Sequence, residues 1–241
     1  KDIINRFKMP TVLGLGIIIL GIASGVFLVV REQAFVSKAS PNFIAQNINV
    51  TNISDTEAAI SWQTADSATS FITFGQQSPD EQTVLDDRDT KTPQPHSLHY
   101  VTLKNLLPKT TYQYKIISGK ISSEINKFTT ASPISKMGFQ PVIGTILDNS
   151  KAVEEAIAYL SIANAATLSA LVKNSGNFLI PLAQIRKSDL SDSFPLTGDT
   201  IGKLTIISGF GETSVLFKMN KGLPPISLGE KIYVLSFFSL A

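Results

Sequence analysis

The residues best suited to chemistry are two histidines three apart, His96 and His99, with three aspartates upstream, Asp86, Asp87 and Asp89. Imidazole and carboxylate ligands for zinc or calcium thus occur within one short stretch. On a β-strand, however, residues three apart project from opposite faces. We therefore interpret these residues as polar groups that flank strands, and we predict no metal site.

A second set of aspartates and one short motif are also not predicted to form a functional site. Asp189, Asp192 and Asp199 lie in a loop rich in Ser, Gly and Pro, where aspartate commonly closes turns. Residues 194–198, FPLTG, are similar to a sortase signal but lie in the middle of a predicted domain. GxSxG, HExxH, P-loop and strand-associated GxGxxG motifs are absent from the sequence. We predict no catalytic residue and no cofactor.

Amino-acid composition and charge exclude disulfide bonds and thiolate metal sites, and they argue against nucleic acid as a partner. The 241 residues include no Cys, so neither disulfides nor thiolate-bound metals stabilise the domains. The formal net charge is +2, and acidic and basic residues are interspersed rather than gathered into a basic stripe. We therefore predict no nucleic-acid partner.

Thr11–Val30 is an uninterrupted apolar run without a charge. A helix of this length spans about 30 Å, the thickness of the hydrocarbon core of a bilayer. Lys1, Arg6 and Lys8 precede the run, so the positive-inside rule predicts a cytoplasmic N-terminus and an exported C-terminal part. The run is longer than the core of a signal peptide, and we therefore predict that it is not cleaved.

Two uses of this helix stay open, a permanent membrane anchor and a helix that packs into an assembly. GxxxG spacing at Gly21 and Gly25 lets a second helix approach closely. We expect helix packing through the four glycines of the run, Gly14, Gly16, Gly21 and Gly25. The start at Lys1 instead of Met is typical of a processed subunit. The architecture resembles that of pilins, although the run here follows KDIINRFKMP and contains no acidic residue.

In the rest of the chain, short segments in which apolar and polar residues alternate recur at the spacing of strands in β-sandwiches. This pattern predicts β-strands. In the first half they cover residues 44–50, 58–62, 70–75, 99–103, 112–117 and 125–130. In the second half they cover residues 141–146, 156–162, 168–172, 178–182, 203–207, 213–217 and 232–238. The apolar run at residues 237–241 is expected to finish a strand of its own sheet, or else to pair with the edge of a neighbouring subunit.

The first half resembles a fibronectin type III domain in three segments, residues 51–64, 71–75 and 99–116. Trp62 is expected in the core, and Leu106 begins the loop into the strand of Tyr112. The resemblance implies that Tyr112 is a tyrosine corner, whose hydroxyl bonds to upstream backbone. The half is also similar to the module ahead of purple acid phosphatases, although no metallophosphatase motif follows.

The second half resembles carboxypeptidase regulatory-like, or transthyretin-like, domains. The matching segments are GTI at residues 144–146, AIAYL at 156–160 and SGNF at 175–178. Gly176 is expected to supply the positive φ of a tight turn, and Phe178 to lie in the core. The resemblance implies an accessory domain for stability, spacing or adhesion.

The predicted fold is mainly β, with one long N-terminal hydrophobic helix and two tandem β-sandwiches. The predicted segments are the tail and helix at 1–30, a stalk at 31–40, the fibronectin-like sandwich at 41–131, a linker at 132–138 and the transthyretin-like sandwich at 139–241. Asn49 and Asn52 occupy glycosylation sequons, and exposure is expected for both.

We predict a non-enzymatic cell-surface structural protein, a subunit of an assembly or filament held by N-terminal helices. The alternative is a monomeric single-pass adhesin that binds a glycan or protein through sandwich loops. The expected partners are further copies of the chain, membrane lipid, and a surface glycan or protein. The expected location is extracellular, with the helix in the membrane or in a filament core.

Overall fold

The structure is a computed structural model that describes residues 16, 20–26, 41–135, 138, 140–209, 211–228 and 232–233. It comprises two compact units, Lys1–Pro41 and Asn42–Ala241. The second unit contains the β-strands of both predicted sandwiches. The chain therefore joins the two sandwiches in one compact body.

The first unit contributes a short stretch of helix. Residues 20–26 are helical, and the Ser24 hydroxyl donates to the carbonyl of Gly21 at 3.3 Å. Within the described ranges, no helix combines the length and the apolar character that crossing a bilayer requires. The rest of the predicted helix, with Gly14, and the stalk at 31–40 lie outside the described residues.

Seven strands build the first sandwich. They are β1 (Gln46–Thr51), β2 (Ala58–Gly75), β3 (Gln82–Leu85), β4 (Pro95–Leu103), β5 (Thr111–Ser118), β6 (Ile121–Ser122) and β7 (Asn126–Thr129). The first half of β2 lies between β1 and β4, where Ile60 pairs with Val50 and Val101. The second half lies between β3 and β5, and β5 also pairs with β6 and β7.

The long strand β2 corrects the prediction of two separate strands at 58–62 and 70–75. Residues 64–69, TADSAT, contain neither Gly nor Pro, so the backbone stays extended. The pairing register with β4 shifts between Gln63 and Ala68. A single strand thereby turns the corner from one sheet to the other, as irregular strands do in sandwiches. The short strands β3 and β6 were not predicted.

Apolar side chains from both sheets fill the space between them. Trp62, Phe74, Ile72 and Ile116 belong to this core and are almost completely buried. Along β5 buried residues alternate with partly exposed ones, the pattern of a strand with one face on a core. The first half of the chain is therefore a two-layer β-sandwich.

Within its described residues, the second sandwich has nine strands in two sheets. They are β8 (Val142–Asp148), β9 (Lys151–Ala152), β10 (Ala156–Ile162), β11 (Leu168–Leu171), β12 (Asn177–Ile180), β13 (Ile201–Ser208), β14 (Gly211–Lys218), β15 (Ile226–Ser227) and β16 (Ile232–Tyr233). One sheet has the order β11-β10-β13-β14-β16, and the other has β12-β8-β15 with β9 beside β8. The prediction of a strand at 156–162 is confirmed with the same bounds. Residues 234–241, with the whole apolar run at 237–241, lie outside the described residues.

A tight turn joins β11 to β12, as the SGNF motif predicted. Gly176 has φ +75° and donates its N–H to the carbonyl of Lys173 at 2.7 Å. An added Cβ at this glycine would lie 2.6 Å from the carbonyl oxygen of Ile146. The position therefore requires glycine for two reasons, the positive φ and the lack of space.

Substituting Gly176→Ala is expected to lower the free energy of unfolding by about 2 kcal/mol, because an L-residue at this φ is strained and the new methyl group meets backbone. Gly222→Ala is the matched control, since nothing lies within 4 Å of its Cβ position. Urea unfolding of both variants, followed by circular dichroism, measures the difference. Equal stability of the two variants would contradict the assignment.

Candidate functional site at the junction of the sandwiches

The outer faces of two sheets, one from each sandwich, bury apolar side chains against each other. Ala59 on β2 and Leu98 and Tyr100 on β4 form one cluster with Ile157 and Tyr159 on β10. All five are buried, although none belongs to the core of its own sandwich. Burial of apolar surface is worth about 25 cal/mol per Å², so the cluster favours the joined arrangement. We call this contact the junction.

Buried hydroxyl groups add hydrogen bonds across the junction. The Ser61 and Tyr159 hydroxyls lie 2.8 Å apart, and the Tyr100 hydroxyl lies 2.9 Å from the Ser169 hydroxyl. The Thr51 hydroxyl is 2.5 Å from that of Ser169. Burial raises the pKa of Tyr100 and of Tyr159, with their hydrogen bonds opposing it. Both phenols are therefore neutral at physiological pH and act as hydroxyl donors and acceptors.

Asn52 connects the two sandwiches through its backbone and its side chain. Its φ of +53° is a conformation that asparagine adopts more readily than most residues. Its Nδ2 donates to the Tyr100 hydroxyl at 3.0 Å and to the Ser169 carbonyl at 2.9 Å. Its Oδ1 accepts from the Ser169 N–H at 2.8 Å, and its own N–H donates to Thr167 at 3.2 Å. Every polar group of the Asn52 amide is thus used within the junction.

Asn52, expected to be exposed for glycosylation, is half-buried. A glycan would replace a hydrogen on Nδ2, and that nitrogen makes two hydrogen bonds in the junction, so the arrangement disfavours a glycan there. The Asn49 side chain is exposed, although it also bonds to the Asn47 carbonyl at 2.8 Å and to Tyr159. Glycosylation of Asn49 stays a prediction.

Two aspartates close the outer edge of β4. Asp86 Oδ2 accepts from the Tyr100 N–H at 2.8 Å, and Asp87 Oδ1 accepts from the Thr102 N–H at 2.8 Å. The Asp87 N–H donates in turn to the Tyr100 carbonyl at 2.9 Å. Burial raises the pKa of Asp87, although its bonds to Thr102 oppose the rise. Since an open strand edge invites unwanted pairing, these aspartates protect the edge.

Arg88 of the first sandwich and Glu155 of the second both bind the backbone at this edge of β4. Arg88 donates to both carboxylate oxygens of Asp86, at 2.8 and 2.9 Å, and to the Leu98 carbonyl. Glu155, from the second sandwich, lies 3.5 Å from Arg88 Nη1 and accepts from the N–H groups of Ser97 and Leu98 at 3.1 Å. Burial raises the pKa of Asp86, but Arg88 outweighs it and holds that pKa below its ordinary value.

His99 lies inside the first sandwich, next to this ionic group. Its ring stacks on Trp62 with centroids 4.9 Å apart and planes 11° from parallel. Its side chain is completely buried, and Nδ1 lies 4.0 Å from Asp86 Oδ2. Burial lowers the pKa of His99 to about 4, although the Asp86 charge opposes the shift. The imidazole is therefore neutral at physiological pH.

The arrangement of the two histidines differs from the sequence-based expectation. The rings of His96 and His99 meet edge to face with centroids 6.2 Å apart, although a regular strand would separate them. The irregular register of β2 beside this end of β4 explains the contact. His96 Nε2 lies 3.3 Å from Asp89 Oδ1. Among the residues that the structure describes, no three His, Asp or Glu side chains are grouped to hold a metal ion.

A buried arginine lies beside the loop that follows β1. The side chain of Arg186 in the second sandwich is 1% exposed, and its nearest acidic partner is Asp55 of the first, with Nη2 and Oδ1 3.7 Å apart. Burial lowers the pKa of Arg186, and the charges of Asp55 and Asp192 oppose the shift. This pair adds an ionic contact between the two sandwiches.

The other residues singled out from the sequence lie away from the junction. Trp62, Leu106 and Tyr112 are in the core of the first sandwich, and Phe178 is in the core of the second. The Tyr112 hydroxyl accepts from the Leu107 N–H at 2.9 Å, the bond that a tyrosine corner makes.

The remaining sequence candidates lie on loops or on the N-terminal unit. In the FPLTG loop, Phe194 and Leu196 pack against the second core. Among the described residues, nothing lies within 4 Å of the Cβ position at Gly16, Gly21 or Gly25.

Substituting Tyr112→Phe is expected to lower the free energy of unfolding by about 1–2 kcal/mol, because the partly buried Leu107 N–H loses its acceptor. Tyr114→Phe is the control: burial raises the pKa of Tyr114 to about 12, and its hydroxyl makes no hydrogen bond with the described residues. Thermal unfolding followed by circular dichroism compares the two variants. A smaller effect at Tyr112 than at Tyr114 would contradict the corner assignment.

The junction was not predicted, although the sequence carries a signal for it. β2 begins AAISW and β10 reads AIAYL, and all five residues of each segment are buried. A strand with one face on a core and the other in water alternates apolar and polar residues, whereas an unbroken apolar or small-residue run indicates burial of both faces. These two runs identify the strands that meet.

One family model matches the chain. Residues 45–130 match the N-terminal domain of purple acid phosphatase. The match covers the first sandwich and agrees with the similarity to that module predicted from the sequence. No curated protein matches the chain significantly.

Similar solved structures are fibronectin type III domains and other β-sandwiches. One is the sensor domain of the anti-sigma factor RsgI4 of Pseudobacteroides cellulosolvens, with 24% identity, 40% of this chain and 100% of that chain covered, and a TM-score of 0.30. Another is the FN1–FN3 segment of chicken CNTN1, with 13% identity, coverage of 72% and 64%, and a TM-score of 0.29. A third is a two-domain fibronectin type III segment of chicken tenascin, with 12% identity, coverage of 72% and 98%, and a TM-score of 0.24.

Proposed function

We propose that this chain is a non-enzymatic structural protein of the cell surface. In this proposal the apolar run Thr11–Val30 inserts in the membrane or in a filament core, and copies assemble through its glycines. The two sandwiches, of which the second is transthyretin-like, extend outward as one rigid unit. The partners are therefore further copies of the chain and membrane lipid.

The observation that supports a structural role is the closed junction between the sandwiches. Its polar groups are committed to each other: Asn52 to Tyr100 and Ser169, and Glu155 to Arg88 and the β4 backbone. A flexible linker would leave two domains free to turn, whereas this contact fixes their relative orientation. Fixed orientation suits a subunit that displays its surface in a repeating assembly.

The match of the first sandwich supports a role without catalysis. Its family model describes the N-terminal domain of purple acid phosphatase, and in this chain the matched residues form a β-sandwich. The titratable groups at the junction bond to strand edges and to one another. We accordingly propose that the chain is not an enzyme.

The test of assembly is a substitution in the full chain that blocks close helix approach. Gly21→Ile with Gly25→Ile is expected to abolish the oligomer, because two branched side chains prevent backbone contact at a GxxxG face. Val26→Ile, which adds one methylene to an exposed branched residue, is the control. Electron microscopy and native mass measurement in detergent give the readout.

Wild-type assembly by the double glycine variant would refute helix-driven assembly. A wild-type chain that is monomeric in detergent and in vesicles would favour the alternative, a single-pass adhesin. In that case, binding of the purified chain to a glycan array would identify its ligand class.

A further inference from the structure

The first sandwich has an open apolar cleft at the end where the chain begins its first strand. The cleft has a volume of about 400 Å³ and lies between the start of β1 and the β5–β6–β7 segment. Its apolar lining consists of Phe43, Ile44, Ala45, Ile48, Ile116 and Ile121. We call this feature the apolar cleft.

Two isoleucines beside the apolar cleft are in contact with water. Ile44, which forms part of the lining, is 48% exposed. Ile125, which lies in the chain between the lining residues Glu124 and Asn126, is 53% exposed. Exposed apolar groups around a concave surface indicate a contact site.

Most of the polar side chains that line the cleft have partners within the sandwich, and the exception is Glu124, which is exposed. The Ser118 hydroxyl accepts from Ser70 at 2.8 Å. The side chains of Ser123 and Asn126 donate to the Glu124 carbonyl at 2.8 and 3.0 Å. A glycan or an extended peptide needs hydrogen-bond partners when it leaves water, and here few remain. A hydrocarbon chain needs none.

The charges beside the cleft balance each other. The segment between β5 and β7 carries Lys120 and Glu124, both of them exposed. A lysine at such a position can lay its aliphatic stem along apolar surface while its ammonium group reaches polar headgroups. Because the charges cancel, contact with lipid here does not require an anionic membrane.

The apolar cleft follows the apolar run closely in the sequence. Only ten residues, 31–40, separate Val30 from Pro41, and they span at most about 35 Å when fully extended. Phe43, the first lining residue, follows Pro41 by two positions. The cleft is therefore at the end of the sandwich that is nearest to the run along the chain.

We propose that the apolar cleft, with Ile44 and Ile125, contacts the lipid surface of the membrane that holds the N-terminal run. The first sandwich then lies against the bilayer, with these side chains at the boundary between headgroups and acyl chains. The inference rests on the proposed function in taking the run as membrane-inserted.

The absence of Cys from the chain makes a direct test possible. The full chain, with one cysteine at a time, is spin-labelled and reconstituted in phosphatidylcholine vesicles. Ile125→Cys probes the cleft, and Ile143→Cys is the control, since Ile143 is 61% exposed on the second sandwich. Ile18→Cys probes the apolar run. Collision rates with oxygen, which concentrates in lipid, and with a water-soluble nickel chelate give the readout.

The expected result is a severalfold loss of nickel access at position 125 relative to position 143, with a gain in oxygen access. Equal nickel access at the two positions, with position 18 in lipid, overturns the lipid contact and leaves the proposed function standing. An aqueous position 18 refutes the inserted run itself. Spin–spin broadening at position 125 that disappears on dilution with unlabelled chain shows a second copy in the cleft, and it also overturns the lipid contact.

Discussion

Replacing Arg88 with methionine is expected to lower the free energy of unfolding by about 3 kcal/mol, because it leaves a buried carboxylate without its counter-charge. The Asp86 side chain is 0% exposed and receives two hydrogen bonds from the Arg88 guanidinium, which the substitution removes. The same substitution removes the donor to the Leu98 carbonyl and the positive charge beside Glu155. Urea unfolding followed by circular dichroism measures the loss.

Two further variants identify the cause of this loss. Lys115→Met removes the partner of Asp80, a pair in which the carboxylate is largely exposed, and is expected to have little effect. Asp86→Asn combined with Arg88→Met removes the buried negative charge and is expected to recover part of the lost stability. If Arg88→Met is as mild as Lys115→Met, the ionic group at the β4 edge does not stabilise the fold.

Patterns among residues close in the sequence predicted many of the strands and turns of each sandwich. The apolar segment AIAYLSI predicted β10 with its observed bounds, and the SGNF motif predicted the turn at Gly176. Such features depend on neighbours in sequence, namely side-chain period and the need for a positive φ. Trp62 could be placed by strand period, whereas the role of Tyr112 came from the resemblance to fibronectin type III domains.

The junction could not be derived in the same way, since it depends on pairing between distant segments. Asn52 contacts Ser169, and Ser97 contacts Glu155. Nothing in the sequence around Asn52 distinguishes an exposed sequon from a buried amide. Asp86 and Asp87 were likewise interpreted only as polar groups that flank strands, because sequence shows the residue types but not the strand edge that they close.

Stability of the chain is expected to decrease by about 3 kcal/mol between pH 7 and pH 4 through His99 alone. Burial depresses the pKa of His99 from 6.5 to about 4. As the pH falls below 6.5, the unfolded chain binds a proton at this residue while the folded chain does not, so unfolding becomes more favourable. Below pH 4 both states bind the proton, and the His99 contribution stays constant.

Asp86 acts in a separate pH range. Its pKa in the folded chain lies below the ordinary 3.8, so its contribution to stability is present above that value and is lost only as the pH falls further. A decrease between pH 6.5 and 4 therefore reports on His99 rather than on the buried carboxylate.

The same substitution at the two histidines tests this assignment. His99→Gln is expected to remove the decrease between pH 6.5 and 4, because the buried position no longer titrates. His96→Gln, at a partly exposed ring on the same strand, is expected to keep it. Urea unfolding at about pH 7.0, 5.5 and 4.5, which cover most of the range between the unfolded and folded pKa values of one group, gives the readout. A decrease that persists in His99→Gln would show that the pH dependence arises elsewhere in the chain.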